Sequence, residues 1–251
     1  MGRRRGQDIT GVLLLDKPEG LSSNHALQRA RRALDAKKGG HTGTLDPFAT
    51  GLLVCCFGKA TKICGPMLNV DKTYEATLLL GSETDSGDLT GEVVQAAGPE
   101  FAGVSLAEVE AVLPQFMGEI QQIPPMYSAL KRDGRPLYEY ARQGIELERE
   151  PRTVTIYALK LLEFSTHQLR LEVFCSKGTY IRTLAQDIGR ALGCYAHLTA
   201  LRRTTVGPFK LDEAVTLEDF QGLENPQEKL QELQTLPPGL VPEKLLHKDI
   251  L

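Results

Sequence analysis

No run of the sequence approaches the roughly 18 unbroken apolar residues of a membrane-spanning helix. The arginine-bearing start MGRRRGQDITGVLLLDKP has too short an apolar segment for a secretory signal, and a cytoplasmic location is expected. Cysteine is sparse: Cys55, Cys56, Cys64, Cys175 and Cys194 are odd in number and form no C-x-x-C pair. Neither a disulfide framework nor a zinc site is indicated, and buried, reduced thiols are expected. Cys55 and Cys56 lie in an apolar run, where a thiolate is raised in energy, which disfavours a cysteine nucleophile. The five histidines (His25, His41, His167, His197, His247) make no H-x-x-x-H pair and have no cysteine at usable spacing, so metal catalysis has no support. GLLVCCFGKAT ends in Gly-Lys like a phosphate loop, but the spacing fails and Ala60 stands where serine or threonine is needed. There is no solenoid repeat.

Basic residues are also missing from one stretch. Residues 75–120 contain no lysine or arginine and nine acids, whereas residues 1–74 carry 12 basic residues against 6 acids, 121–203 carry 13 against 8, and 204–251 carry 4 against 9. Two basic segments flanking an acidic one suit a polyanion-binding face if folding joins the former and turns the latter away; ordinary solvated charge is the alternative.

What remains is a chain of 251 residues, 41% hydrophobic and 24% charged, enough for one large domain or two small ones. TGVLLLDKPEG reads as a buried strand. SSNHALQRARRALDA reads as a helix capped by Ser22 or Ser23, with Ala26, Ala30, Ala33 and Leu34 on one face. LLVCCFG, YEATLLLG, RTVTIYALKLLEF, QLRLEVFCS and AHLTALRRTTVG read as strands, and DLTGEVV as a hairpin connection. SLAEVEAVLPQF opens with Ser105 and Glu108 at capping-box spacing and is disturbed near Pro114, and TYIRTLAQDIGRALG is a further helix. Residues 121–152 interleave Tyr127, Tyr138 and Tyr140 with basic residues around proline breaks, as an insertion that closes over a ligand does. Strands outnumber helices and often follow one another directly, so an α+β fold with a large, mainly antiparallel (mixed) sheet flanked by helices is expected. After about residue 217 the text turns acidic, Gln-rich and proline-broken.

Two charged residues stand out. GHTGTLDPFATG places Asp46 between Gly-Thr turns and a proline, directly before an apolar strand. Asp before Pro suits the start of a short turn or helix, so local pattern alone leaves a structural reading open. In SKGTYIRTLAQDIG, Arg182 falls in the first turn of a helix starting near Thr179, where the macrodipole disfavours a cation. It calls for an anion, which solvent, a phosphate or a carboxylate such as Asp46 could supply.

LLLDKPEGLSS, GHTGTLDPFATGLL, DKTYEA, IPPMYSALK, LYEYARQG and SKGTYIRTLAQDIG, in that order, closely resemble the TruB family of bacterial tRNA pseudouridine synthases, over about residues 9 to 216. The resemblance implies a pseudouridine synthase-like fold that isomerises uridine 55 in the T stem-loop of tRNA without a metal or organic cofactor. By motif, Asp46 would be the nucleophile, at C1′ of the sugar or C6 of the base, with a glycal route as the alternative. Tyr74 would stack on the target base, and Arg182 would hold Asp46. Tyr180 and Leu201 would line the uracil pocket, and His41 would fill the gap left by the flipped nucleotide. Lys17, Lys62 and Lys177 are candidate phosphate contacts, with plain surface lysines as the alternative. The expected organisation is a catalytic domain over 1–220, with 121–152 as a flexible RNA-clamping thumb, followed by a tail over 221–251 too short for the family's usual C-terminal RNA-binding (PUA) domain. A monomer is expected. A catalytically idle RNA-binding module on the same scaffold and a nucleoside hydrolase are the competing readings; the intact Asp46, Tyr74 and Arg182 oppose the first, and the lack of a second catalytic carboxylate the second.

Overall fold

A computed structural model describes residues 6–246; Arg3, Arg4, Arg5 and His247 lie outside the described residues. In chain order the elements are β1 (Gly11–Lys17), α1 (Ser23–Ala33), β2 (Gly39–His41), β3 (Thr50–Phe57), α2 (Cys64–Met67), β4 (Lys72–Leu80), β5 (Ser82–Thr84), β6 (Val93–Ala96), α3 (Leu106–Val112), β7 (Gly118–Gln122), β8 (Lys131–Arg132), β9 (Arg135–Pro136) and α4 (Leu137–Ala141). They continue with β10 (Arg152–Ser165), β11 (Gln168–Cys175), α5 (Ile181–Ala191), β12 (Ala196–Val206), β13 (Phe209–Lys210), β14 (Val215–Thr216), α6 (Leu217–Gly222) and α7 (Glu243–Leu246). The large sheet has the order β14-β1-β3-β12-β4-β11-β10-β7, with β2 on β3 and β13 on β12. It is mixed: β1 with β14 and β3 with β12 are parallel, while β1 with β3, β2 with β3, β7 with β10, β10 with β11 and β12 with β13 are antiparallel. Among the described residues no helix is long and apolar enough to cross a membrane.

The chain divides into two compact units, residues 1–73 with 202–251 and residues 74–201. In the first, β1 and β3 are buried on both faces, which is why they read as continuous apolar runs. Val12, Leu14, Leu52, Val54 and Cys56 face one core. Leu13, Leu15, Leu53, Cys55 and Phe57 face another, covered by Ala26, Leu27, Ala30 and Leu34 of α1 and its C-terminal turn. The α1 N-cap is Ser22, whose side chain accepts from the His25 amide. The Gln-rich C-terminal stretch completes both cores: Leu217 and Phe220 enter the second, and Leu233, Leu236, Val241 and Leu245 the first.

In the second unit the Ser105–Glu108 capping box opens α3 as its spacing foretold, and the helix gives way to a 3-10 turn over Leu113–Phe116 at Pro114. The expected hairpin is β5–β6. In residues 121–152, β8 and β9 pair around Asp133-Gly134, both at positive φ (51° and 78°), the backbone that a two-residue Asp-Gly hairpin requires. Arg135 stacks 4.7 Å from the Tyr140 ring and Arg142 5.2 Å from Tyr138, so tyrosines hold exposed guanidinium groups in place.

Candidate active site

Asp46 lies half-buried on the loop between β2 and β3. Its carbonyl accepts from the Ala49 amide at 3.0 Å, closing a turn through Pro47 and Phe48. The turn that local pattern allowed is therefore present, and it is fastened from three sides. The buried Ser23 hydroxyl, at the start of α1, accepts from the Leu45 amide (2.7 Å) and donates to the Leu45 carbonyl (3.0 Å). Arg203 on β12, 2% exposed, donates through Nε to Leu52 O (2.9 Å) and through Nη2 to Gly43 O (3.1 Å). Lys17 at the end of β1 donates through Nζ to the carbonyls of Pro18 (2.8 Å), Leu21 (2.7 Å) and Pro47 (3.2 Å).

Lys17 thus corrects both expectations for it. It is fully buried, and its three N–H donors are taken by three main-chain carbonyls, so it is neither a phosphate contact nor a surface lysine. Its ammonium pKa falls to about 8, chiefly through loss of hydration, with the Asp46 carboxylate the largest opposing influence. The chain has therefore placed a buried cation within electrostatic reach of Asp46. His41, half-buried on β2, has its pKa lowered by burial and then by Arg203, which favours the neutral imidazole. Its Nδ1 accepts weakly from the Gly43 amide (3.4 Å). Lys62 lies exposed in the turn after β3.

In the second unit, Arg182 lies one residue into α5 and is 3% exposed. Nη1 donates to Ser86 O (2.8 Å), Nη2 to Tyr127 O (2.6 Å), and Nε lies 3.9 Å from Asp88 Oδ2. Asp88 is buried and accepts from Ser86 Oγ (3.0 Å), the Thr90 amide (2.8 Å) and Thr90 Oγ1 (2.5 Å). The anion that an arginine in a first helical turn requires thus includes Asp88, which sequence reasoning missed because it lies in the acidic stretch expected to turn outward. Glu83, from the same stretch, is buried in a bidentate pair with Arg190. The usable signal was Thr84-Asp85-Ser86-Gly87-Asp88, a turn-rich acid cluster of the kind whose side chains bond neighbouring amides.

Tyr180 is the α5 N-cap residue; its amide donates to Gln122 Oε1 (2.9 Å) and its carbonyl accepts from Gln122 Nε2 (3.2 Å), a two-way clamp by a buried amide side chain. Tyr74 stands half-buried on β4, Leu201 is buried on β12, and Lys177 is exposed in the turn before α5. The first unit therefore gathers Lys17, His41, Asp46 and Arg203, and the second holds Tyr74, Asp88, Tyr180, Arg182 and Leu201. Cys55, Cys56, Cys175 and Cys194 are buried and Cys64 is half-buried; all five are free thiols. Among the described residues no group of three or more side chains could hold a metal ion.

The mixed sheet with its flanking helices is a pseudouridine synthase-like fold, which solved structures share. The crystal structure of a Cbf5-Nop10-Gar1 complex contains a chain matched at TM-score 0.70 and 31% identity, over 89% of this chain and 60% of that one. A structure of an H/ACA RNP bound to a substrate RNA containing 2′-deoxyuridine matches at TM-score 0.65 and 29% identity, over 88% and 58%. The model of the TruB family pseudouridylate synthase (N terminal domain) matches residues 31–181, and that of the tRNA pseudouridylate synthase B C-terminal domain matches residues 182–239. The chain belongs to the TruB family. It is 69% identical over 242 residues to tRNA pseudouridine synthase B of Bordetella avium (strain 197N), covering 96% of this chain and 99% of that protein. It is 60% identical over 222 residues to the protein of the same name from Dechloromonas aromatica (strain RCB), covering 88% and 73%.

Proposed function

We propose that this protein is a tRNA pseudouridine synthase that converts uridine 55 in the T stem-loop to pseudouridine, acting as a monomer with residues 1–220 as its catalytic domain. The observation that carries the reading is the fastening of the loop that bears Asp46, in the family's GHTGTLDPFATG motif, at Gly43, Leu45 and Pro47 by buried Lys17, Ser23 and Arg203. A nucleophile on a loop held by buried, hydrogen-bonded side chains is pre-organised. Asp46 attacks C1′ of the sugar, displacing N1, or adds to C6 of the base, after which the N1–C1′ bond breaks; the base turns, C5 bonds to C1′, the bond to Asp46 breaks, and C5 gives up its proton while N1 takes one. Arg182 keeps Asp46 ionised and aimed through charge-assisted hydrogen bonds. One carboxylate suits isomerisation, whereas net glycoside hydrolysis calls for two carboxylates flanking the bond. Tyr74 stacks on the uracil, Tyr180 and Leu201 wall its pocket, and His41, neutral and flat, takes the place of the extruded nucleotide, whose flipping costs a few kcal/mol. Residues 121–152 close over the loop as a thumb, and Lys62 and Lys177 contact phosphates. No metal or organic cofactor enters this chemistry.

The test is a T-stem-loop RNA carrying tritium at C5 of its uridines. Isomerisation releases tritium without freeing uracil, hydrolysis frees uracil, and an idle binding module does neither. Asp46→Asn is expected to lower turnover by at least about a thousandfold with RNA affinity little changed. Turnover near the wild-type rate would remove Asp46 from the mechanism.

A further inference from the structure

Cys56 lies in β3 with its side chain in one core of the first unit, and Cys64, at the start of α2, packs partly exposed against that same core. A glycine lets the two sulfurs meet. In the β2–β3 ladder Gly40 stands opposite Cys56, and directly opposed residues project to one face with Cβ positions about 4.5–5.5 Å apart. Gly40 leaves its side-chain position open, and Cys64 Sγ lies 3.3 Å from where a Cβ on Gly40 would stand. The Cys56 side chain, on the face that Gly40 leaves open, therefore stands beside the Cys64 sulfur. Cys55, one residue earlier, faces the opposite core.

The side-chain interaction between them differentiates the two thiols. It lowers the pKa of Cys64, with Lys38 reinforcing the effect and partial burial opposing it, and together with burial it raises that of Cys56. The half-exposed sulfur is the one biased toward thiolate, the reactive form, and the sulfur behind it is shielded. That is an attacking thiol backed by a resolving one.

We propose that Cys64 and Cys56 form a thiol–disulfide exchange site for small disulfides of the glutathione disulfide type. The Cys64 thiolate attacks one sulfur of the small disulfide, forming a mixed disulfide; the small S–S bond breaks and its other half leaves as thiolate, taking a proton from solvent. Cys56 then attacks the Cys64 sulfur, displacing the second small thiol, which takes the Cys56 proton as it leaves. The small disulfide is reduced by two electrons to two thiols, and the protein dithiol is oxidised by two electrons to one disulfide. Closure ties β3 to the start of α2 and fixes the intervening turn over Gly58–Ile63, which carries Lys59 and Lys62. A reducing thiol reverses it.

The experiment uses the full, fully reduced chain, incubated with glutathione disulfide in the absence of air and mapped as unreduced peptides. A linked Cys56–Cys64 peptide lacking two hydrogens and restored by dithiothreitol is expected, with buried Cys175 and Cys194 unmodified as the internal sign of an intact fold. Cys56→Ser is expected to trap glutathione on Cys64, and iodoacetamide at neutral pH is expected to label Cys64 at least about tenfold faster than Cys175 or Cys194. A stable glutathione adduct on wild-type Cys64, an unreactive Cys64, a bridge to Cys55, or a bridge that forms only together with modification of Cys175 and Cys194 would each overturn the proposal.

Discussion

At Lys17 a positive charge is enclosed beneath a turn that bears an acid, and three carbonyls replace the water it gave up. Its folded pKa of about 8 lies below the ordinary 10.5. Between those values the unfolded chain still holds a proton that the folded chain has released, so this residue's contribution to stability rises with pH through that window and is least favourable below it. Comparing urea midpoints at neutral pH and at a pH between the two values, for wild type and for Lys17→Met, is expected to show the wild type gaining stability relative to the variant as pH rises; parallel pH profiles would refute it. Arg182, in the second unit, is another buried cation. Two carbonyls fork its guanidinium and Asp88 lies beside it, an arrangement that a lysine's single ammonium does not reproduce. Arg182→Ala is expected to lower kcat on the T-stem-loop by about a hundredfold or more while the RNA Kd moves little. It should also lower Tm, because Asp88 loses a buried countercharge. A pure affinity defect would argue against its orienting Asp46.

The strand that follows the Asp46 loop begins with an element-scale constraint. Gly51 pairs with Arg203 in the parallel β3–β12 contact and adopts φ 102°; a Cβ there would lie 2.3 Å from the Arg203 carbonyl oxygen. Two backbones approach so closely that only glycine fits. Gly51→Ala is expected to destabilise the protein by about 2–4 kcal/mol, read from denaturant unfolding, and to slow turnover because Arg203 also anchors Gly43 and Leu52. Unchanged stability and rate would show that the loop does not depend on this contact. The helices were the most legible elements, since Ser22, Ser105 and Glu108 are local caps and form where their spacing says. The β3–β12 contact was not legible, because parallel pairing joins residues about 150 positions apart through no local pattern.

Over the whole chain, the division of charge was a partial guide. Lys62, Lys177 and the arginines of the β8–β9 hairpin are exposed, as a polyanion-binding surface needs, but Lys17, Lys72, Arg182 and Arg203 are buried and serve main-chain carbonyls instead. Lys62→Ala and Lys177→Ala are each expected to weaken T-stem-loop binding and to reduce the slope of log K against log salt by about one, as loss of one phosphate contact does. An unchanged slope would leave them as ordinary surface charges. Family and the local caps and turns were legible in the residues alone, because short motifs and 3.6- or 2-residue periodicities are encoded within a few neighbouring positions. Which charges are spent inside the fold was settled by long-range packing alone. Lysine on the surface and lysine beneath a turn look alike in one dimension, and Asp88 reads as one more acid in an acidic run until the chain brings Arg182 to it. Burial and long-range partners are set by packing, which no local window contains.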